Sequence, residues 1–265
     1  MAEDKASFAA GSQLPFADRI NRVRGEDPFK WLAAGWRDFH RARRVSLAYG
    51  LIVIVVGIVL TVGLYLEHLE YLIAPLTAGF LLVGPALTVG FYAISRDLEA
   101  GQRPSLRRAL LAWRANPGPL LGLGLGLVLF LIVWIRLAVL TFALTFPYEQ
   151  LDPQSLVNAV LFTADGNVFL ILGTMIGCVM AGIAFATGAF SLPLLLDRKA
   201  GLVEAISTSV VGVLLNARVM ALWAAIIVVS TAAGILTLYI GLAVSLPLIG
   251  HASWHAYRAV VRPGG

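Results

Sequence analysis

Arg136 is the most unusual side chain in the sequence, because it lies inside an otherwise uncharged apolar run from Pro119 to Phe146. A charge within a membrane span is costly and commonly marks a function or a partner. At 1.5 Å per residue, Arg136 lies about 25 Å along a helix of about 42 Å, in its outer half. It could recognise an anionic ligand or pair with an acid across a gate, or it could snorkel towards the polar end and fix its helix. The sequence leaves both interpretations open.

His251 and His255 are the other candidates for chemistry, since residues four apart share one face of a helix. Two neutral imidazoles at this spacing can bind a metal ion or a haem. Two ligands do not complete a site, however, and no other histidine is nearby in the sequence. With Trp254 and Tyr257 alongside, the pattern favours an aromatic belt that anchors the chain at the membrane interface. We therefore expect no metal and no cofactor.

The sequence contains no pattern typical of an enzyme: no P-loop, no His-Glu-x-x-His motif, no paired carboxylates within an apolar run and no Ser-His-Asp constellation. The single cysteine, Cys178, excludes a disulfide framework. Of the 265 residues, 59% are hydrophobic and 13% are charged, whereas a soluble domain carries about 25% charged residues. This composition excludes a soluble or disordered protein and predicts a bundle of membrane-spanning helices.

Six apolar segments are long enough to cross a bilayer, which takes roughly 20 residues for each helix. The predicted spans are 46–66, 71–94, 119–146, 167–196, 219–239 and 242–260. No charge marks the turn between the last two, so a re-entrant helix pair is the alternative there. We predict an all-α polytopic membrane protein, in which residues 28–262 form one integral membrane domain and residues 1–27 form a polar, disordered segment.

Basic residues are concentrated on one side of the predicted membrane. Nineteen of the 20 Lys and Arg residues fall on the side of both termini, and Arg136 is the twentieth. The segments on the opposite side contain five acidic residues and no Lys or Arg. Because cytoplasmic loops carry the excess of Lys and Arg, we predict that both termini are cytoplasmic. This rule explains the net charge of +5 without nucleic acid, and the basic face should contact anionic lipid headgroups.

A unit of one interfacial helix and two spans recurs three times in the same orientation. Three amphipathic segments each precede a pair of spans: 29–41, 103–114 and 202–213. Trp36 and Trp113 occupy matching positions in the first two copies, where we predict that they are interfacial anchors. Asn116 and Asn216 match in the last two copies. The sequence therefore predicts three parallel repeats.

Glycines recur every four residues on the third and fourth predicted spans. They are Gly118, Gly122 and Gly126 on the third span, and Gly173 and Gly177 on the fourth. Small residues at this spacing let helix backbones approach closely. We predict that both sets form helix-packing faces.

Several segments together resemble a known family. They are Gly84-Pro85, Gly90 to Tyr92, Ile94 to Arg96, Leu98 to Gly101, Phe190 to Pro193, Leu196 to Arg198, Met220 to Trp223 and Leu246 to Arg258. Through these segments, nearly all of the sequence after residue 28 is similar to the bacterial predicted integral membrane proteins grouped as domain of unknown function 2189. The resemblance implies a bacterial inner-membrane protein, and the family brings no established activity or site residues.

Two functions are consistent with these features. The first is an interaction, assembly or membrane-organising protein, whose glycine faces and cytoplasmic helices dock other membrane proteins or a second copy of the chain. The alternative is a small transporter or channel, in which Arg136 and proline-kinked helices line a path. Because a path for polar solutes needs more than one charge, the sparse polar content of the spans favours the first function.

Overall fold

The computed structural model describes residues 14–69, 72–146, 153–237 and 239–263. Over these residues the chain is helical, with no β-strand, which confirms the predicted all-α class. The α-helices of this part of the chain are α1 Asp27–Arg41, α2 Arg43–Leu66, α3 Ile73–Leu87, α4 Val89–Glu99, α5 Leu106–Leu110, α6 Pro117–Thr145, α7 Pro153–Phe162, α8 Ala164–Gly188, α9 Ser191–Asp197, α10 Leu202–Leu215, α11 Ala217–Leu236 and α12 Leu242–Val260. Short 3₁₀ turns occupy Ala17–Arg19 and Ala112–Ala115.

Within the described residues, four helical segments are long and apolar enough to cross a bilayer: α2, α6, α8 together with α9, and α11. They correspond to the first, third, fourth and fifth predicted spans. The second predicted span is instead divided into α3 and α4, and the sixth, α12, is not among these four. The structure therefore confirms four of the six predicted spans, on length and composition.

The break between α3 and α4 falls at Thr88, three residues after Pro85. Proline lacks the N–H that would bond within the helix, and the Thr88 hydroxyl donates to the Pro85 carbonyl at 2.7 Å. A hydroxyl that bonds the preceding turn of backbone bends a helix further. The division of the second predicted span thus has a local cause in the sequence.

The last helix, α12, runs antiparallel beside α2. Near the beginning of α12, the Tyr239 hydroxyl lies 3.4 Å from the Thr61 hydroxyl. Further along, His251 of α12 lies 2.9 Å from Ser46, near the start of α2. Since Ser46 and Thr61 are 15 positions apart on α2, α12 and the turn before it lie along more than half of that helix.

The central helix α6 packs against α3 and α8, which both run antiparallel to it. The Trp134 indole donates to the Pro75 carbonyl of α3 at 2.9 Å. The same ring lies 3.1 Å from the position of a Cβ at Gly177 of α8. Farther along, the Phe142 and Phe169 rings lie 5.8 Å apart. These contacts form one side of the bundle.

Several helix ends meet at one end of the molecule. Ser46 at the start of α2 and Ser95 near the end of α4 both contact His251 of α12. The Arg96 guanidinium of α4 donates to the Leu196 carbonyl at the end of α9, at 2.7 Å. The segments between these helix ends therefore lead away from this end of the molecule and return to it.

The matching asparagines make matching contacts at this end. The Asn116 amide donates to the Ala200 carbonyl at 3.0 Å, in the segment before α10. The Asn216 amide donates to the Asn21 carbonyl at 3.0 Å, in the segment before α1. Each asparagine thus follows one predicted interfacial helix and binds the backbone that precedes another.

The described part of the N-terminal segment is ordered, which corrects the prediction of disorder for residues 14–27. Ala17 and Ile20 are buried, and Ile20 forms an antiparallel bridge with Val261. The Arg262 amide donates to the Arg19 carbonyl at 2.9 Å. Backbone pairing with the end of the chain stabilises this segment, a contact that a polar composition does not reveal. The rest of the prediction concerns residues 1–13, outside the described residues.

Two of the predicted interfacial helices are continuous and one is not. α1 and α10 cover the first and third amphipathic segments. The second segment is divided at Leu111 into the five-residue helix α5 and a 3₁₀ turn. The arginine-rich segment therefore forms a short helix and a turn before α6 rather than one long surface helix.

Candidate functional site

A cluster of buried polar side chains lies where the end of α12 meets α1, α2 and α4. His251 of α12 has no exposed surface, and Ser46 and Ser95 are buried with it. Asp38 of α1 is 6% exposed. We call these side chains the His251 network, which consists of Asp38, Ser46, Ser95, His251 and His255.

Short hydrogen bonds connect every member of the His251 network. His251 Nδ1 lies 2.8 Å from Ser95 Oγ, and its Nε2 lies 2.9 Å from Ser46 Oγ. Ser95 Oγ donates to Asp38 Oδ2 at 2.8 Å, and His255 Nε2 lies 2.8 Å from the same oxygen. The His251 network therefore ties four helices together through side chains alone.

The hydrogen bonds have one consistent direction. Because Ser95 donates to the Asp38 carboxylate, the Ser95 oxygen accepts from His251 Nδ1, which therefore carries a hydrogen. When the ring is neutral, His251 Nε2 accepts from Ser46. Burial raises the pKa of Asp38, but the hydrogen bonds from His255 and Ser95 outweigh burial and hold this pKa below its usual 3.8. The His251 network thus encloses one stabilised carboxylate.

Aspartate, histidine and serine are the residue types of a catalytic triad. No pattern in the sequence predicts that these three side chains meet. In a triad the aspartate holds the histidine, and the serine oxygen faces the substrate. Here Ser95 stands between Asp38 and His251, and its exposed fraction is 1%. Ser46 is 0% exposed. Since neither hydroxyl can reach a substrate, the arrangement joins helices and does not support nucleophilic catalysis.

The two histidines do not form a metal-binding pair. Both ring nitrogens of His251 face serine oxygens, which leaves no free lone pair for a metal ion. His255 is hydrogen-bonded to Asp38. Within the part of the chain that the structure describes, no group of three or more His, Cys, Asp or Glu side chains is suited to hold a metal ion.

The end of α12 also binds two carboxylates from other helices. The Trp254 indole donates to Glu99 Oε2, at the end of α4, at 3.0 Å. The Tyr257 hydroxyl donates to Asp197 Oδ2, at the end of α9, at 2.7 Å. Arg258 adds an ion pair with Glu99 at 2.9 Å. These contacts fix the ends of α4 and α9 around α12.

The four predicted interfacial anchors divide into two pairs. Trp36 and Trp113 are 46% and 39% exposed, so they are available to a membrane interface. Trp254 and Tyr257 have no exposed surface, and the belt predicted for them is wrong. The aromatic side chains beside His251 are packed inside the protein, because neighbouring helices cover them. Buried aromatic residues and interfacial aromatic residues have the same composition.

Arg136 lies on an exposed part of α6 and not between helices. No hydrogen bond or ion pair joins it to any residue that the structure describes. Asp165, one of the acids towards which it could snorkel, is described and does not pair with it. Glu149 and Asp152, which follow α6 in the sequence, lie outside the described residues. Arg136 thus carries a charge that no described residue compensates, on the surface of a span-length helix.

The predicted glycine faces are only partly used for packing within the chain. A Cβ at Gly177 would lie 3.1 Å from Trp134, and a Cβ at Gly122 would lie 3.5 Å from Leu202. A Cβ at Gly118 or Gly126 of α6, or at Gly173 of α8, would have nothing within 4 Å. Most of this small-residue surface is therefore open.

Asp38, Ser46 and Ser95 are the residues of the His251 network that sequence reasoning missed. Asp38 stands among several charged residues of α1, and the two serines stand at the ends of apolar runs. Each looks like an ordinary polar residue at a membrane boundary. One available signal was that His251 and the two serines all fall near the same predicted membrane face.

Comparison with known proteins agrees with this architecture. The family model described as predicted integral membrane protein (DUF2189) matches residues 72–197. The match contains Ser95 and Arg136 and ends before His251. No curated protein and no solved structure matches the chain. The resemblance seen in the sequence is confirmed over the matched residues.

Proposed function

We propose that this chain, whose residues 72–197 belong to the family of predicted integral membrane proteins of unknown function 2189, is a membrane-organising protein. In this proposal, α6 docks a transmembrane helix of another protein, and Arg136 recognises a carboxylate on that helix. The observation that carries the proposal is the exposed Arg136, which pairs with no described residue, on a helix long enough to span a bilayer.

The environment of α6 supports a docking role. Only 6% of its most apolar stretch is fully buried inside the protein. Val133, Arg136 and Leu140 are exposed, so this face of α6 is open to lipid or another chain. Arg136 lies about 28 Å from the start of α6, counted at 1.5 Å per residue. A cation at such a depth is costly in lipid unless it is paired or snorkels. A carboxylate from a neighbouring helix would compensate it.

A second copy of this chain is a poorer source of that carboxylate. Among the described residues of the spanning helices, the acidic side chain of α8 is Asp165, in its first turn at the far end. α2 and α11 contain no acidic residue. A symmetric pair of chains would therefore bring no described carboxylate to the depth of Arg136, which favours a different protein as the partner.

The open glycine positions support close helix contact on the same part of the molecule. Gly118 and Gly126 on α6 have nothing within 4 Å of a Cβ position. Glycine at such positions lets a second helix approach to backbone distance. Association in a membrane depends on such packing, because lipid removes the hydrophobic driving force between helices.

The transport alternative has weaker support. A path for solutes between the helices would require Arg136 to face inward, whereas this side chain is exposed on the outside of α6. The buried polar groups of the His251 network are hydrogen-bonded to one another. They leave little capacity to bind a passing solute.

We further propose that the chain crosses a bacterial inner membrane six times with both termini in the cytoplasm. The hydrogen bonds that join the ends of α4, α9 and α12 to the start of α2 support two additional crossings, through α3–α4 and through α12. The matching contacts of Asn116 and Asn216 support three parallel repeats. The basic cytoplasmic face would contact anionic lipids and has no need of nucleic acid.

Site-specific photocrosslinking in native membranes tests the docking proposal. A photoreactive amino acid at Val133 or Leu140 lies on the face of Arg136, since residues three and four apart are neighbours on a helix. Both positions are exposed, as is Leu60 of α2, the matched control. We expect a crosslink from Val133 or Leu140 to a peptide of another membrane protein that contains Asp or Glu in a span.

The same crosslink should disappear in Arg136→Leu and persist in Arg136→Lys, which keeps the charge. Leu60 should give no such product. The proposal fails if the crosslinked peptide comes from a second copy of this chain or contains no acidic residue. It also fails if Arg136→Leu leaves the crosslink unchanged.

A further inference from the structure

A basic pocket opens where the N-terminal turn, the segment after α9 and the segment after α12 meet. Its volume is about 490 Å³, within the range of about 300–1,000 Å³ typical of small-molecule sites. Four cations and two acids line it: Arg19, Arg198, Lys199, Arg262, Asp18 and Glu204. The pocket thus combines a suitable size with an excess of positive charge.

Neutral groups hold three of these cations in place. The Arg198 guanidinium donates to the Arg262 carbonyl. Arg262 Nε donates to Asn21 Oδ1 at 2.9 Å, and Lys199 Nζ donates to the Ala115 carbonyl at 2.8 Å. A carbonyl or amide oxygen positions a cation without cancelling its charge. The pocket therefore keeps a positive potential while its side chains are already oriented.

The two acids of the lining, Asp18 and Glu204, are fewer than the four cations, so they leave an excess of positive charge. Glu204 is paired with Arg19. Asp197 lies 3.7 Å from Arg198, but it accepts a closer hydrogen bond from Tyr257 at 2.7 Å. Among the described residues, Lys199 and Arg262 have no carboxylate within ion-pair distance. These two cations are free to bind an anion.

We propose that this pocket binds a phosphate group, carried either by a phospholipid headgroup or by a free phosphorylated small molecule. An arginine presents five N–H donors in a planar fork that matches phosphate oxygens. Arg262 uses its Nε for Asn21, so both terminal nitrogens can bind phosphate oxygens. Lys199 adds a point charge beside them. The pocket adjoins the ends of α9 and α12, where a headgroup and a soluble ligand both have access.

Binding measurements in nanodiscs of two compositions test the proposal and separate the two sources. Inorganic phosphate and glycerol phosphate are titrated calorimetrically into the full chain in nanodiscs of phosphatidylcholine alone. In parallel, native mass spectrometry counts phosphatidylglycerol retained from nanodiscs with equal parts of the two lipids. A free ligand gives saturable binding in the first arm, and a lipid ligand gives one retained phosphatidylglycerol in the second.

Arg262→Gln should weaken whichever binding is found by about tenfold or more, because charged hydrogen bonds contribute about 1.5–3 kcal/mol. Lys199→Gln should weaken this binding as well. It serves as the second variant if Arg262→Gln does not fold, because it leaves the contact between Arg262 and Asn21 intact. Arg107→Gln removes an exposed cation outside the pocket and is the matched control. The proposal is overturned if neither arm detects binding, or if Arg107→Gln reduces it as much as the pocket variants.

Discussion

Each side chain of the His251 network is hydrogen-bonded to another member, which explains how charged and polar side chains are accommodated beside α12. Asp38 accepts from Ser95 and His255, and His251 binds a serine on either side. A buried polar group without a partner costs about 1–3 kcal/mol. The five side chains therefore specify one arrangement of α1, α2, α4 and α12, because any displacement would leave several groups unpaired at once.

At the residue scale, acidification should weaken this arrangement. The folded-state pKa of Asp38 is lowered below 3.8, so the carboxylate stabilises the fold above that pH. The contribution is lost as the pH falls through the folded pKa. Asp38→Asn should lower the free energy of unfolding at pH 7 by about 1–3 kcal/mol. The variant should also lose less stability than the wild type as the pH falls, measured by thermal denaturation in detergent.

Glu26→Gln is the control for that measurement, since Glu26 is exposed and makes a surface ion pair with Lys30. Such pairs contribute little to stability. If Asp38→Asn is as stable as the wild type at neutral pH, or loses stability in acid just as steeply, the role assigned to the carboxylate is incorrect.

At the scale of elements, helix α1 has one buried face and one exposed face. It buries Trp31, Gly35 and Asp38 against the protein and exposes Phe29 and Trp36. The face that carries Phe29 and Trp36 is thus available to lipid, while the opposite face contacts α12. Close contact with α12 depends on Gly35, because a Cβ there would lie 2.6 Å from the backbone nitrogen of Ala252.

Gly35→Ala should therefore force α1 and α12 apart. Because the nearest atoms belong to the backbone, no side chain can move aside, and overpacking of this kind costs about 1–3 kcal/mol. We expect a lower denaturation midpoint in detergent, with loss of the monodisperse peak in size-exclusion chromatography at a lower temperature. Gly57→Ala on α2 has nothing within 4 Å and should behave like the wild type. Equal midpoints for the two variants would contradict the close packing of α1 on α12.

At the scale of the whole molecule, the bundle has two unlike ends. One end holds the His251 network, the basic pocket and the ends of several helices, while the apolar spans extend away from it with little burial. The exposed apolar surface of α2, α6, α8 and α11 suits contact with lipid. A compact polar end beside loosely packed spans is the form expected of a membrane protein with its core near one interface.

The orientation can be tested by cysteine labelling in a Cys178→Ala background. Lys199→Cys lies at the end of the molecule that carries the basic residues, and Asp165→Cys lies at the start of α8, towards the other end. A membrane-impermeant maleimide should label Asp165→Cys in intact spheroplasts and Lys199→Cys only after permeabilisation. His68→Cys, between α2 and α3, should behave like Asp165→Cys if the chain crosses six times. The opposite labelling would reverse the proposed topology, and protection of His68→Cys in intact cells would contradict the crossing by α3–α4.

The sequence by itself was sufficient for the all-α class and for four helices that are long and apolar enough to span a bilayer. These properties depend on local composition, because an apolar run of sufficient length spans a bilayer whatever its neighbours are. The same reasoning was wrong for Trp254 and Tyr257, since interfacial and buried aromatic residues have the same composition. It also missed the pairing of the N-terminal segment with Val261.

Only the tertiary structure decided which polar residues meet. Ser95 and Asp38 are 57 positions apart, Ser95 and His251 are 156 apart, and His255 and Asp38 are 217 apart. No local pattern encodes such contacts, because they depend on which faces of α1, α2, α4 and α12 pack together. The same packing determines that His251 is enclosed while Arg136 remains exposed. Charge and apolar length are properties of a segment, whereas burial is a property of its neighbours.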